Sequence, residues 1–200
     1  MARNQIEKKK IIAVTGGIGS GKSTLISLLQ KRGYTVVSSD QIVNGLYLKR
    51  RFLIKIKRLF PSAVKGIFNL RVDKNVIAEQ IFSDEEKRKE LNSLIHPIVI
   101  REGIKKCKKT TKNLAFMEVP LLFEGGFQKE FDGAIIVLRD YAKRIESVKI
   151  RSNLHEDEII RRMNAQVDYE KLDTNSYHVI KNDGGIADLE LELEKIINKL

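Results

Sequence analysis

Gly16-Gly17-Ile18-Gly19-Ser20-Gly21-Lys22-Ser23-Thr24 satisfies the pattern G-x-x-x-x-G-K-[ST], with an apolar run before it and a helical pattern after it. Residues 11–15 read as a buried strand. Leu25, Ile26, Leu28 and Leu29 give the following segment an apolar face before Gly33 stops it. The glycines let the backbone curl so that successive N–H groups and the helix N-terminus point at a phosphate chain, and Lys22 adds a full positive charge. The Ser23 hydroxyl is then placed to ligate Mg²⁺. Strand, loop and helix together predict nucleotide-phosphate binding. They do not separate a kinase from an ATPase or a GTPase switch.

Working outward, 200 residues with 42% hydrophobic content suffice for one well-buried core, and no internal repeat or low-complexity linker divides the chain. No apolar run approaches the roughly 18 residues that span a bilayer, and the first ten residues lack the apolar centre of a signal peptide. The expectation is a soluble, cytoplasmic protein without a membrane partner. Cys107 is the single cysteine, can form no intramolecular disulfide and reads as structurally incidental. The 37 Lys+Arg against 26 Asp+Glu leave a net charge of +11, concentrated in residues 8–10, 49–58 and 101–112. These runs match no known nucleic-acid module and read as solvated basic faces suited to phosphate-bearing substrates. No nucleic-acid partner is expected.

Residues 34–38 read as a second buried strand, ended by Ser39 and Asp40. In an open α/β sheet that edge is where ligands bind, so Asp40 is expected to share a crevice with Lys22; its local alternative is the N-cap of a helix beginning at Gln41. A helical region over 41–60 carries Phe52, Ile56, Leu59 and Phe60 on one face and is ended by Pro61; residues 62–73 read as irregular. Further helices are predicted over 74–82, from a capping box at Ser83-Asp84-Glu85-Glu86 to Ile95, and from Pro97 through Lys109, with His96-Pro97 as the break. Strands follow at 114–119 and 133–138, and Glu118, near the end of the first of them, is a candidate to hold Mg²⁺ through water. After the fourth strand come a helix packing Tyr141, Ile145 and Val148, a short polar link, and a helix from Glu156 bearing Arg161, Arg162 and Gln166. A last strand at 177–180, a turn at Asn182-Asp183-Gly184-Gly185 and a terminal helix with Leu189, Leu193, Ile196 and Leu200 complete the chain.

These motifs, in this order, resemble the dephospho-coenzyme A kinases. The resemblance rests on the stretch from Thr15 to Thr24, Asp40, Ile81-Phe82-Ser83-Asp84, Leu94-Ile95-His96-Pro97, Val119-Pro120-Leu121-Leu122-Phe123-Glu124, Arg151 fifteen residues before Gln166, and Asn182-Asp183-Gly184. It implies an α/β P-loop kinase fold: a five-stranded parallel sheet flanked by helices, with a helical substrate-binding insertion and a helical lid. Residues 1–200 would form one domain, with a nucleotide-binding core (11–40, 111–140, 170–200), a coenzyme A insertion (41–110) and a lid (141–169). The implied reaction transfers the γ-phosphoryl of ATP to the ribose 3′-hydroxyl of dephospho-coenzyme A, with Mg²⁺ as cofactor. By the same resemblance Gly17, Gly19, Ser20, Gly21, Lys22, Ser23 and Thr24 bind ATP, Ser23 binds Mg²⁺, Asp40 is the base, and Arg151 closes with the lid over the transferring group. His96, Pro120, Leu121 and Glu124 shape the acceptor pocket with Asp40. A monomer or weak homo-oligomer is expected.

Three positions depart from the family's pattern. Ser38 stands where an aspartate is expected, Asn44 and Ser147 where arginines are expected, and Arg50 or Arg51 is the expected substitute for the arginine missing at 44. A kinase of another small acceptor, such as a nucleoside or nucleoside monophosphate, shares the loop, the aspartate and the lid but leaves His96-Pro97 and residues 120–124 unexplained. A nucleic-acid-binding ATPase explains the charge alone.

Overall fold

The computed structural model describes residues 9–152 and 154–200, so most of the basic tail over 1–10 lies outside the described residues. In chain order the elements are β1 (Lys10–Thr15), α1 (Lys22–Lys31), β2 (Thr35–Ser38), α2 (Ser39–Leu46), α3 (Arg50–Leu59), β3 (Val64–Lys65), β4 (Arg71–Val72), α4 (Lys74–Ser83), α5 (Glu85–Cys107), β5 (Leu114–Glu118), β6 (Gly133–Leu138), α6 (Tyr141–Ser152), α7 (Glu156–Asn164), β7 (His178–Lys181) and α8 (Ile186–Ile197). The chain divides into two units, one of residues 1–37 with 104–200 and one of residues 38–103.

The larger unit is built on a five-stranded parallel sheet of order β2-β5-β1-β6-β7. Its register sets Val14 beside Glu118 and Thr15 beside Ile136. A central parallel strand is covered on both faces, which is why β1 is apolar almost throughout and buried from Ile11 to Thr15. On one face Ile12, Val14, Phe116 and Val137 pack with Leu25, Leu28 and Leu29 of α1 and Leu189, Leu193 and Ile196 of α8. Cys107 is fully buried in the same unit, and its thiol donates to Phe116 O at 3.5 Å. It is a core residue, not an incidental one, and burial pushes its pKa up to about 11. The helix pair α6 and α7 has a small core of its own, Val148, Ile159 and Met163, against which Ile18, Ile145 and Leu154 pack. Tyr141, expected to pack there, is 46% exposed.

The smaller unit corrects several expectations from sequence. The helical region over 41–60 is two helices, α2 and α3, and residues 62–73 contain the antiparallel pair β3 and β4. Two-residue strands are too short to show a period. Helix α2 begins at Ser39 with Ser38 in the cap position, so Asp40 is its second residue and not its N-cap. At the start of α5 the capping side chain is Asp84, whose Oδ1 accepts the Lys87 N–H at 3.0 Å; Ser83 belongs to α4. His96-Pro97 does not break the chain, since α5 runs unbroken through Pro97. An interior proline costs about 3 kcal/mol. Leu91 and Ile95 before it, and Val99 and Ile100 after it, are all buried, and each contributes roughly 1.5–3 kcal/mol. Among the described residues no helix is long and apolar enough to cross a membrane.

Candidate active site

The loop between β1 and α1 is held by side chains from three distant segments. Asn182 donates through Nδ2 to Ser20 O at 2.8 Å, and its own N–H donates to Leu138 O at 2.8 Å, so the turn after β7 braces the loop against the end of β6. Gly21 has φ +96°, and a Cβ there would collide with the Asn182 amide; glycine is required for both reasons. The Ile18 N–H donates to Gln166 Oε1 at 2.7 Å, while Ile18 O accepts from Arg144 Nε at 2.9 Å. The loop's tip is thus pinned from both sides by Arg144 of α6 and by Gln166, just past α7. Gly17 lies against the Arg144 guanidinium, which would have to shift to admit a Cβ there.

Lys22, the first residue of α1, curls its ammonium back onto the loop and donates to Gly16 O at 2.6 Å and Gly17 O at 2.9 Å. Its pKa is lowered to about 8, chiefly by burial, with the charges of Arg144 and Arg151 adding to the effect and Glu118 and Glu124 opposing it. The loop therefore gathers the cations Lys22, Arg144 and Arg151, offset in part by the carboxylates of Glu118 and Glu124. The buried Ser20 hydroxyl has no hydrogen-bond partner. Both features suit a polyanion carrying many acceptors.

Gly17 and Ser20 also line a cavity of about 910 Å³ that is shared with Arg139, Tyr141, Arg144, Tyr169 and Asp183, a volume suited to a nucleotide. Tyr169 bonds Thr15 Oγ1 at 3.1 Å, and burial raises its phenol pKa to about 12. Glu124 Oε1 accepts the Val167 N–H at 3.0 Å, and Pro120 O accepts from Tyr169 OH at 3.5 Å, so the segment after β5 is tied to the segment after α7. Arg151 is exposed near the end of α6. Ser23 and Thr24 lie in the first turn of α1, the Thr24 N–H donating to Gly21 O at 3.0 Å. Hard oxygen donors of this kind suit Mg²⁺, and no group of three His, Cys, Asp or Glu side chains among the described residues offers an all-protein cage.

The family profile for dephospho-CoA kinase matches residues 10–188. The chain belongs to the dephospho-CoA kinase family. A dephospho-CoA kinase of Thermus thermophilus is 35% identical over 190 residues, covering 95% of this chain and 91% of that protein. A Helicobacter pylori dephospho-CoA kinase is 33% identical over 198 residues, covering 96% and 98%. A crystal structure of a Thermus thermophilus protein superposes with a TM-score of 0.83 at 35% identity, covering 96% of this chain and 98% of that one. As a dephospho-CoA kinase, the chain phosphorylates its substrate at the expense of ATP, within coenzyme A synthesis.

Asp40 and His96 belong to the unit of residues 38–103; Asp40 is exposed in the first turn of α2, directly after β2. Asn44 Oδ1 there accepts from Lys74 Nζ at 2.7 Å, and the same ammonium lies 5.0 Å from the Tyr47 ring centroid. The cation beside Asn44 is therefore Lys74, whereas Arg50 and Arg51 are exposed at the start of α3. Sequence reasoning missed Arg144, Tyr169 and Arg139. A signal existed for Arg144, since Arg144, Val148 and Arg151 recur at i, i+4 and i+7 on one helical face. None existed for Tyr169, a lone aromatic in a polar stretch.

Proposed function

We propose that the chain is one P-loop kinase domain, with a core at 11–40, 111–140 and 170–200, a coenzyme A insertion at 41–110 and a lid at 141–169, that phosphorylates the ribose 3′-hydroxyl of dephospho-coenzyme A. The observation that carries this reading is the phosphate loop itself, whose Lys22 ammonium folds back onto the Gly16 and Gly17 carbonyls beside the guanidinium charges of Arg144 and Arg151. Residues 17–24 hold the ATP phosphates, with the Ser20 hydroxyl finding its missing partner there. The Lys22 ammonium moves from the Gly16 and Gly17 carbonyls to β- and γ-phosphate oxygens, trading neutral acceptors for charged ones. Ser23 holds Mg²⁺, which when bound neutralises phosphate charge.

Asp40 accepts a hydrogen bond from the 3′-hydroxyl and takes its proton as the oxygen attacks the γ-phosphorus. The O–H bond breaks, an O–P bond forms, and the bond from the γ-phosphorus to the bridging oxygen breaks to leave ADP. Arg151 stabilises charge on the transferring group, which an arginine's fixed fork of donors does well. His96, Pro120, Leu121 and Glu124 shape the acceptor pocket. Phosphoryl transfer rests mainly on positioning and charge stabilisation, and these residue types supply both.

The test measures ATP-dependent ADP release with dephospho-coenzyme A against adenosine, AMP, CMP, uridine and single-stranded RNA. Stimulation by dephospho-coenzyme A alone is expected, and stimulation by RNA or by a nucleoside in its place overturns the acceptor assignment. Asp40→Asn is expected to keep ATP binding while lowering kcat about 10²-fold or more; near-normal turnover removes Asp40 from the chemistry.

A further inference from the structure

Arg139 follows β6 directly and lines the same cavity as Gly17 and Ser20 of the phosphate loop. Its Nη1 donates to Ser147 Oγ at 2.8 Å, and that hydroxyl donates onward to Lys143 O at 2.8 Å. The guanidinium is thus held in one place. Its Nε–H is buried and has no partner. A buried donor on a charged group is costly to leave unmatched, and burial at a cavity wall persists where a ligand brings the acceptor. Ser147 is one of the three departures from the family's pattern, and Arg139 brings a guanidinium beside it from the end of β6.

We infer that Arg139 is a nucleotide-binding residue, its Nε–H donating to an acceptor on the nucleoside part of ATP while its planar guanidinium packs against the base. This rests on the reading of the cavity as the ATP site. The nucleoside end is favoured over the phosphates because the phosphate end is occupied by its own cations. Lys22 sits in the loop, and the arginines whose charges bear most on it are Arg144 and Arg151. Arg139 follows Leu138, which pairs with Lys181, and precedes Asp140, whose N–H donates to Asp183 Oδ1 at 2.7 Å, and Lys181 and Asp183 line the same cavity. A guanidinium matches a flat, acceptor-bearing base through both its donors and its face.

Steady-state kinetics of the full chain with Arg139→Leu tests this. KM for ATP is expected to rise roughly tenfold, the scale of a lost hydrogen bond to a charged group, with KM for dephospho-coenzyme A unchanged and kcat at saturating ATP within about twofold. Arg139→Lys keeps the stem and charge but not the fork, and is expected to move KM for ATP in the same direction. Adding Ser147→Arg to Arg139→Leu restores most of the ATP affinity, because a guanidinium then enters the same space from α6. Inhibition by adenosine weakens in Arg139→Leu, whereas inhibition by inorganic tripolyphosphate does not. An unchanged KM for ATP, or an equal loss of tripolyphosphate inhibition, overturns the assignment. Photolabelling of the parent chain with 8-azido-ATP separates the two readings: cross-links on the peptide containing Tyr141 and Arg144 uphold the cavity as the ATP site whatever Arg139 does, and cross-links elsewhere overturn both.

Discussion

Lys22, proposed above to hold the ATP phosphates, also carries a folding penalty. Its pKa is near 8 in the folded protein and about 10.4 in an unfolded chain, so between these values the unfolded state binds the extra proton. Stability contributed at this residue therefore rises with pH through that window. We expect the unfolding free energy of the parent, measured against Lys22→Met by denaturant titration, to increase from pH 8 to pH 10. A constant difference contradicts the lowered value. Activity runs the other way: only the ammonium form attracts phosphate, so kcat/KM for ATP is expected to fall above about pH 8, and a profile flat to pH 9.5 excludes Lys22 as the titrating group. Residue by residue, the loop was legible in sequence because its function resides in backbone N–H groups and one adjacent lysine. The departures at Asn44 and Ser147 were legible only as losses. That Lys74 and Arg139 stand beside them is a product of tertiary contact across 30 and 8 residues of chain.

Helix α5 shows how packing overrides a local rule. His96-Pro97 reads as a break, yet a buried face spanning the proline keeps one helix. Pro97→Ala returns the missing N–H to the Ser93 carbonyl, and we expect it to raise stability by about 1–2 kcal/mol, part of the roughly 3 kcal/mol of an interior proline being offset by the stiffer unfolded chain. Thermal unfolding checks it, and a loss of stability shows that the ring itself fills a packing site. Ile18 couples the α6–α7 hairpin to the loop by both packing and backbone hydrogen bonds. Ile18 packs on Val148, Ile159 and Met163 while its N–H and C=O are held by Gln166 and Arg144. Ile18→Ala removes the apolar part of that pin but leaves both backbone bonds. Hydrogen exchange in Glu156–Asn164 is expected to quicken several-fold with little change in β1; uniform quickening in both elements indicates global destabilisation instead.

Over the whole molecule, a net charge of +11 draws two anionic substrates to one protein. Long-range attraction is screened within about 8 Å at physiological ionic strength, so kcat/KM for both substrates is expected to fall as salt rises from 20 to 300 mM while kcat changes little. Equal loss in kcat points to disruption of the site itself. The α/β class, the succession of the five sheet strands along the chain, the phosphate loop and the helices of the α6–α7 hairpin were determined by sequence alone, because each is written in short-range periodicity, glycine placement or an unbroken apolar run. Sheet order, the continuity of α5, the burial of Cys107 and the side chains that grip the loop were decided only by tertiary structure. Arg144, Gln166, Tyr169 and Asn182 lie more than a hundred residues from the loop they hold. The free energy that places them comes from burial in a shared core, and no local pattern encodes that. The loop at Gly16 to Thr24 was identified by its own residues, but the cations and amides that shape it were chosen by the fold.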